Sequence, residues 1–120
     1  MDCVFCKIAK GEIPSYKLYE DEKLMAFLDI NPYAPGHTLI IPKEHTLDLT
    51  TIDNDTLNKI MEKARDIATE VTTKLNAPGY TLVQNNGFVQ EVKHFHLHII
   101  PKYMKNIEMD VKEVYEKITH

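Results

Sequence analysis

The sequence predicts an α+β domain with a mostly antiparallel sheet of about five strands, one long helix and a short N-terminal helix. Short apolar segments follow one another through tight turns, both before and after a single long amphipathic segment, and this order is typical of antiparallel sheets. There is no Gly-x-Gly-x-x-Gly or Walker-type loop. A nucleotide site built on a glycine-rich βαβ loop is therefore not expected.

The first half of the chain predicts the short helix and three strands. Apolar residues at helical spacing, followed by Gly11, predict the helix, and an acidic turn predicts a hairpin between the first two strands. A loop rich in turn residues leads into a third, buried strand. In chain order these elements are the helix over 3–10, strands over 17–20 and 23–28, the loop over 29–36 and a strand over 37–42.

The second half predicts the long helix, two further strands and a terminal helix. Apolar residues at spacings of three and four form one stripe along the long helix, with Asp53 and Asp55 at its positive end and Lys74 near its negative end. An Asn-Asn-Gly turn precedes the last strand. The elements are the long helix over 54–76, strands over 80–84 and 93–101, and a terminal helix over 108–118.

Length and composition are those of one ordinary globular domain. The 120 residues are 43% hydrophobic and carry 14 basic and 18 acidic side chains, a net charge of −4. We expect a single domain over 1–120, with its core at about 3–103 and a helical tail over 104–120. The lysines are scattered and form no basic stripe, so polymeric nucleic acid is not expected as a partner.

The N-terminus predicts the compartment. It lacks the basic and apolar regions of a signal peptide, and no apolar run approaches the roughly 20 residues of a membrane span. We therefore expect a cytoplasmic protein with no membrane partner, whose two cysteines, Cys3 and Cys6, stay reduced. Two cysteines are too few for a fold held together by disulfides.

Three of the six histidines fall within five residues, at His94, His96 and His98. Alternate side chains of a strand share one face, so we expect these imidazoles to line a ligand-accessible surface while the apolar residues between them pack under the long helix. The outer two would lie roughly 13 Å apart, too far for all three to bind one ion. Three alternatives stay open: polar residues on a solvated sheet face, a metal-binding pair, or one catalytic imidazole beside anion-binding neighbours.

The tract from His94 to Ile100 resembles the His-φ-His-φ-His-φ-φ signature of the histidine triad (HIT) family, where φ is apolar. Other segments resemble the family in the same order, so the likeness spans about 3–103 and looks closest to the Hint branch. It implies a HIT-like fold and a homodimer. The additional matching segments are 3–8, 11–14, 27–32, 34–37 and 41–45.

The resemblance implies catalytic roles for His96 and His98. In the family, the residue matching His96 attacks the α-phosphorus of a nucleotide, and water then hydrolyses the nucleotidyl-histidine. A neutral imidazole is a competent nucleophile because its ordinary pKa is about 6.5. His98 would bind phosphate oxygens and assist the leaving group. The implied ligand is a purine nucleotide or nucleotide conjugate, and no catalytic metal is implied.

Further residues match nucleotide-binding positions of the family. Asp29 matches a ribose binder, since a carboxylate can accept hydrogen bonds from both ribose hydroxyls, although it could instead cap a turn. For three of the base-pocket positions, Phe5, Ile8 and Phe27, packing in the core is the alternative. The matching positions are Phe5, Ile8, Phe27 and Ile30 for the base, Asn85 for ribose and phosphate, and Gln90 for phosphate.

The loop over 87–93 departs from the family pattern. It is two residues shorter than usual and lacks the second glycine that normally precedes the glutamine. We expect backbone donors to phosphate to be lost or moved, which affects Gln90 more than His96. The leaving-group side of the site is expected to be widened or blocked.

Cys3-x-x-Cys6 is half of a tetrahedral zinc site, with two inert thiols as the alternative. The resemblance completes the set, because some family members and the related galactose-phosphate uridylyltransferases add two histidines, which match His45 and His94. Four protein ligands leave no open position, so the implied Zn²⁺ is structural. It would hold the N-terminus against the triad segment.

Three functions remain open. The first is a phosphoramidase-type hydrolase or transferase acting at the α-phosphate of purine nucleoside phosphoramidates or adenylates. The second is a dinucleoside polyphosphate hydrolase, which would use the same half-site. The third is a nucleotide-binding or interaction module with vestigial activity.

Overall fold

The fold is described from a computed structural model and covers residues 3–120. It contains one five-stranded sheet in the order β1-β2-β3-β5-β4, and every neighbouring pair is antiparallel. The predicted α+β class is confirmed. The elements are α1 (Val4–Ala9), β1 (Lys17–Glu20), β2 (Leu24–Leu28), β3 (Thr38–Pro42), α2 (Asn54–Leu75), β4 (Gly79–Gln84), β5 (Leu97–Lys102) and α3 (Val111–Thr119), with a 3-10 turn at Gly87–Val89.

The two faces of the sheet bury different apolar clusters. All five residues of β2 are buried, but they alternate in direction. Leu24, Ala26 and Leu28 join the larger cluster, which includes the buried stripe of α2, whereas Met25 and Phe27 join a smaller cluster with α1. The sheet is therefore covered by α2 and α3 on one face and only partly, by α1, on the other.

The long helix α2 has its predicted position because both ends are capped. The Asp53 carboxylate accepts a hydrogen bond from the Thr56 N–H, and Asn76 ends the helix in the left-handed conformation at φ 54°. Each large apolar side chain that the helix buries contributes about 1.5–3 kcal/mol. The buried stripe consists of Ile60, Ala64, Ile67, Ala68, Val71 and Leu75.

Gly36 allows the loop before β3 to lie against this helix. Its φ is +91°, and a Cβ atom there would lie 2.7 Å from Leu75 Cδ1 and 2.9 Å from Val71 Cγ1. A side chain would therefore be strained and would also push α2 away from the sheet.

The prediction of a last strand over 93–101 is wrong at its start, because β5 begins only at Leu97. The N–H groups just before it bond outside the ladder: His94 N–H donates to the Val92 carbonyl at 2.9 Å, and Phe95 N–H donates to the Thr46 carbonyl at 2.8 Å. His94 and His96 therefore lie in an irregular segment, and strand alternation does not determine their directions.

The terminal helix is confirmed but starts later than predicted. Asp110 caps α3 by accepting a hydrogen bond from the Glu113 N–H at 2.8 Å, and Val114 and Ile118 pack into the larger cluster. Among residues 3–120, no helix has both the length and the apolar character that crossing a bilayer requires.

Candidate active site

A cavity of about 520 Å³ opens on the sheet face that α2 does not cover. His98 of β5 pairs with Leu39 of β3 and with Val83 of β4, so it faces the same side as these residues, away from α2. His96 lies beside it, with the two ring centroids 4.9 Å apart. The polar side chains lining the cavity are those of Asp29, Asn31, Tyr33, Asn85, Glu91, His96 and His98.

The backbone determines which nitrogen of His96 carries the proton. Nδ1 lies 2.7 Å from the His94 carbonyl, and because a carbonyl can only accept, Nδ1 carries the proton and Nε2 keeps a lone pair. Nε2 has no hydrogen bond within residues 3–120. Within the same residues, Gln90 Oε1 is the one buried side-chain polar atom without a partner, so Nε2 is not sealed from solvent. Although His96 is only 3% exposed, its lone pair remains accessible from the cavity.

His98 receives its orientation from His37. The Tyr33 N–H donates to His37 Nδ1 at 3.1 Å, so a neutral His37 carries its proton on Nε2. That nitrogen lies 2.9 Å from His98 Nδ1 and donates to it. His98 must then carry its own proton on Nε2, the atom left to face the cavity that His98 lines. Two neighbouring rings therefore present a lone pair, on His96, and an N–H donor, on His98.

Burial lowers the pKa of both His98 and His37. Desolvation, followed by the nearby His96 and His37, lowers the pKa of His98 to about 4. Desolvation also lowers the pKa of His37, although the Asp29 carboxylate, 3.7 Å from its Nε2, opposes the shift. At neutral pH the hydrogen-bonded chain from the Tyr33 backbone N–H through His37 to His98 is therefore uncharged.

Asp29 caps a turn and also lines the cavity, while its role in binding ribose stays a prediction. Its Oδ1 accepts a hydrogen bond from the Asn31 N–H at 2.8 Å, which caps the turn after β2. Its Oδ2 lies near His37, and the residue lines the cavity. Asn85 also lines the cavity, because it follows Gln84, which pairs with Leu97 next to His96.

The predicted base-pocket residues are not brought together in the cavity wall. Phe5, Ile8 and Phe27 lie in the smaller apolar cluster, and Phe5 places its ring edge-on, 5.0 Å from the His96 ring. Ile30 is 69% exposed. Whether these residues contact a base stays a prediction.

Gln90 is turned away from the predicted phosphate site. Its Nε2 donates to the Leu47 carbonyl at 2.6 Å, its Oε1 is buried without a partner among the described residues, and it does not line the cavity. Glu91, which follows it, does line the cavity. Of these two neighbours, the Glu91 carboxylate lines the cavity and the Gln90 amide does not.

A second cluster joins Cys3, Cys6, His45 and His94, whose ligand atoms all lie within 4.8 Å of one another. His94 Nδ1 lies 3.4 Å from Cys3 Sγ and 3.5 Å from Cys6 Sγ, and His45 Nδ1 lies 3.3 Å from Cys6 Sγ. Zinc bonds of about 2.3 Å to sulfur and 2.0 Å to nitrogen would separate such atoms by about 3.5 Å in a tetrahedron. The four residues can therefore hold a metal ion.

His94 connects this metal-ligand cluster to the site cavity. Its Nε2 donates to the Pro42 carbonyl at 2.7 Å, which leaves the Nδ1 lone pair directed at the sulfurs. Its own carbonyl holds His96. The prediction that all three triad imidazoles line one accessible surface is wrong for His94, which is fully buried and faces the cysteines.

Two residues at the site, His37 and Glu91, were not predicted from the sequence. His37 directly precedes a buried apolar strand and lies two residues before Leu39, so period-two alternation could have placed both on one face. The pairing of β3 with β5, which brings His37 next to His98, could not be predicted from the sequence. Glu91 gave no signal, because an acidic loop residue is ordinarily solvated.

The chain is similar in sequence to proteins of one family. Residues 10–105 match the family model of the HIT domain. The chain is 43% identical over 127 residues to an uncharacterized HIT-like protein of Methanocaldococcus jannaschii, covering 93% of this chain and 98% of that protein. It is 45% identical over 106 residues to the adenosine 5′-monophosphoramidase of Candida albicans, covering 83% of this chain and 70% of that protein.

Solved structures share the fold. A Hit-like protein from Bartonella henselae superposes with a TM-score of 0.89 at 39% identity, covering 98% of this chain and 94% of that one. A zinc-bound histidine triad family protein from Mycobacterium smegmatis gives a TM-score of 0.75 at 30% identity, covering 99% and 94% of the two chains.

Proposed function

This chain belongs to the histidine triad (HIT) family, and from that premise we propose that it is a nucleotide hydrolase acting at the α-phosphate of purine nucleoside phosphoramidates or adenylates. The observation that carries the proposal is the pair of opposite tautomers at the cavity. His96 offers a lone pair, and His98, its neighbour at 4.9 Å between ring centroids, offers an N–H donor. The name of the relative from Candida albicans supports the phosphoramidate class.

The reaction has two displacements at phosphorus. In the first, His96 Nε2 forms a bond to the α-phosphorus, and the bond to the leaving group breaks with its electron pair, so that the leaving group takes up one proton from solvent. His98 donates its Nε2–H to a phosphoryl oxygen, where negative charge builds up. Because the pKa of His98 is depressed, it acts as a neutral hydrogen-bond donor.

In the second displacement, a water oxygen bonds to phosphorus. The electron pair of the phosphorus–nitrogen bond returns to His96 Nε2, and the proton of the water goes back to solvent. The products are the nucleoside monophosphate and the free enzyme. The Nδ1–H bond to the His94 carbonyl holds the ring in place through both steps.

The nucleotide is proposed to lie along the row of rings. Asp29 takes the ribose hydroxyls, and Asn85 lies near ribose and phosphate, as both line the cavity. The base would lie by Ile30 and at the edge of the Phe5, Ile8 and Phe27 cluster, which touches His96 through the Phe5 ring. A phosphate contact from Gln90 requires its amide to leave the Leu47 carbonyl.

Mass spectrometry of the intact protein tests the proposal. Mixed with an adenosine 5′-phosphoramidate and quenched in acid-free conditions, the wild type should gain one adenylyl group and release AMP. His96→Ala should do neither, and His120→Ala, which alters an exposed histidine outside the site, should behave as wild type.

Other outcomes identify the competing functions. Turnover of a diadenosine polyphosphate in preference to the phosphoramidate would replace the proposal with a polyphosphate hydrolase. Nucleotide binding with no adduct and no product would replace it with a binding module.

We also propose a structural Zn²⁺ on Cys3, Cys6, His45 and His94. The distances fit a tetrahedron, and a zinc-bound relative of the same fold supports the choice of metal. When bound, the ion supplies cross-linking, and this chain's residues fix the N-terminal helix to the segment before β5. A cytoplasmic location, which keeps thiols reduced, would preserve these ligands.

A homodimer is proposed through the free edge of the sheet. β4 is the last strand of the sheet, and Tyr80, Leu82 and Val83 are 45%, 41% and 37% exposed on it. An uncovered apolar edge strand favours pairing with another chain. Sedimentation should give twice the monomer mass, and Leu82→Lys should shift it toward the monomer.

A further inference from the structure

The charges of the site cavity are unusual for a site that receives an anion. Asp29 and Glu91 place two carboxylates in its wall, beside the His96 and His98 rings. None of the residues that line the cavity is a lysine or arginine. Lys93, the nearest in sequence to Glu91, donates to the Gly87 carbonyl at 2.8 Å. Within residues 3–120, Glu91 forms no ion pair.

Glu91 lies at one end of the row of rings, and Asp29 lies at the other. Asp29 approaches His37 at 3.7 Å, His37 bonds to His98, and His98 lies next to His96. Beyond His96 comes the metal-ligand cluster, and Glu91 also borders a second depression there, with Cys3 and His45. A nucleotide whose ribose is at Asp29 and whose phosphorus is at His96 therefore directs its leaving group toward Glu91.

We infer that Glu91 selects substrates by the charge of the leaving group, favouring nucleoside 5′-phosphoramidates of amines that carry a second, positive charge. This inference rests on the proposed hydrolase function and narrows its substrate class. A cationic leaving group is attracted by the carboxylate, whereas the additional phosphates of a dinucleoside polyphosphate are repelled by it. The electrostatics of the cavity thus separate two substrate classes that share one half-site.

The expected effect is moderate because Glu91 is exposed. A single charge pair near a protein surface changes kcat/KM by about three- to tenfold, and the change shrinks as salt shortens the Debye length from about 10 Å at 0.1 M to about 3 Å at 1 M. Opposite charges on two substrates move the rate in opposite directions. The ratio between them should therefore change by about 10–100-fold.

Three adenosine 5′-phosphoramidates of similar size test the inference: those of 1,2-diaminoethane, propylamine and glycine, which are cationic, neutral and anionic. The intrinsic reactivity of each leaving group cancels when kcat/KM of wild type is divided by that of Glu91→Gln. This quotient should exceed 1 for the cationic conjugate and fall below 1 for the anionic one. Glu91→Lys should reverse the order, and Glu62→Gln on the exposed face of α2 is the matched control.

The outcomes distinguish failure of charge selection by Glu91 from failure of the proposed hydrolase function. Equal quotients for all three conjugates, or quotients unchanged between 0.05 and 1 M salt, would overturn charge selection while leaving the hydrolase intact. Failure of the wild type to cleave any conjugate would instead overturn the proposed function. A diadenosine polyphosphate should be a poorer substrate than the cationic conjugate, and Glu91→Gln should narrow that gap.

Discussion

Two groups of ligating side chains lie on either side of His96 and differ in what they can do. The metal-ligand cluster of Cys3, Cys6, His45 and His94 and the group of Asp29, His37 and His98 each bring their ligand atoms within 4.8 Å. In the first group, the Pro42 carbonyl accepts a hydrogen bond from His94 Nε2–H. The Nδ1 lone pair of His94 is therefore directed at the cysteine sulfurs. In the second, a backbone N–H starts a chain of donated protons that ends in the cavity.

The comparison shows that residue type alone does not assign a histidine its role. The three triad histidines are alternate residues of one tract, yet their hydrogen-bond partners differ. The ring of His94 bonds to the Pro42 carbonyl, that of His96 to the His94 carbonyl and that of His98 to the His37 imidazole. Each partner selects a tautomer, and the tautomer determines whether the remaining ring nitrogen offers a lone pair or an N–H donor.

The largest effect on activity is expected from substitution of His96, which lies between the two groups. His96→Ala should lower kcat by about 10³-fold or more, because it removes the imidazole lone pair that is proposed to attack phosphorus. Steady-state release of AMP from an adenosine phosphoramidate measures it. His96→Ala should keep the wild-type circular dichroism spectrum, and a variant that retains more than a tenth of the activity would contradict the assignment.

The metal-ligand cluster should respond mainly in stability. Cys6→Ser removes one ligand and should lower the free energy of unfolding by about 3–5 kcal/mol in protein that binds one metal equivalent. Metal analysis together with thermal unfolding, with and without a chelator, measures this. If the chelator shifts the wild type and Cys6→Ser equally, the thiol does not act as a ligand.

His37 tests the other group. His37→Ala leaves His98 free to take either tautomer, so kcat should fall by about 10–100-fold, with a smaller change in KM. Tyr33→Phe is the matched control. It keeps both the backbone N–H that orients His37 and the aromatic ring stacked 5.4 Å from it. Equal losses in the two variants would argue against tautomer control. Full activity of His37→Ala would remove His37 from the site.

The smallest effect is expected in how the free energy of unfolding depends on pH through His98. The pKa of His98 is held at about 4 by desolvation and the neighbouring rings, below its unfolded value of about 6.5. Between these values the unfolded chain binds more protons than the folded one, so stability falls as pH drops from 6.5 toward 4. The contribution of His98 is about 1–3 kcal/mol. Chemical denaturation from pH 7 to 4.5 should show a shallower decline for His98→Asn, and parallel curves would refute the assignment.

Much of the fold was readable because it depends on local pattern. The apolar stripe and both caps of α2 lie within one segment, so its limits were predicted to within one residue. The start of β5 was not readable. The alternation of polar and apolar residues continues back to His94. However, the N–H groups of His94 and Phe95 donate to the carbonyls of Val92 and Thr46 and not to a neighbouring strand.

The site divides in the same way. His96 and the Cys3-x-x-Cys6 pair stand out as residue types at characteristic spacings, whereas His45 and His94 were added as ligands by the family resemblance. The structure brings the four ligands together. The inward turn of Gln90 was unreadable because it depends on the carbonyl of Leu47, 43 residues earlier. The place of the Glu91 carboxylate in the cavity wall was likewise not predicted, because it depends on the conformation of a loop.

The sequence by itself determined the order of the elements, the face that α2 buries and the residues capable of nucleophilic attack and metal binding, since these follow from side-chain chemistry and short-range periodicity. Only the tertiary structure decided which way each imidazole points and where its proton resides. Those properties depend on hydrogen bonds to groups 2 to 61 residues away along the chain, and the distant partners His37 and His98 become neighbours only when β3 pairs with β5.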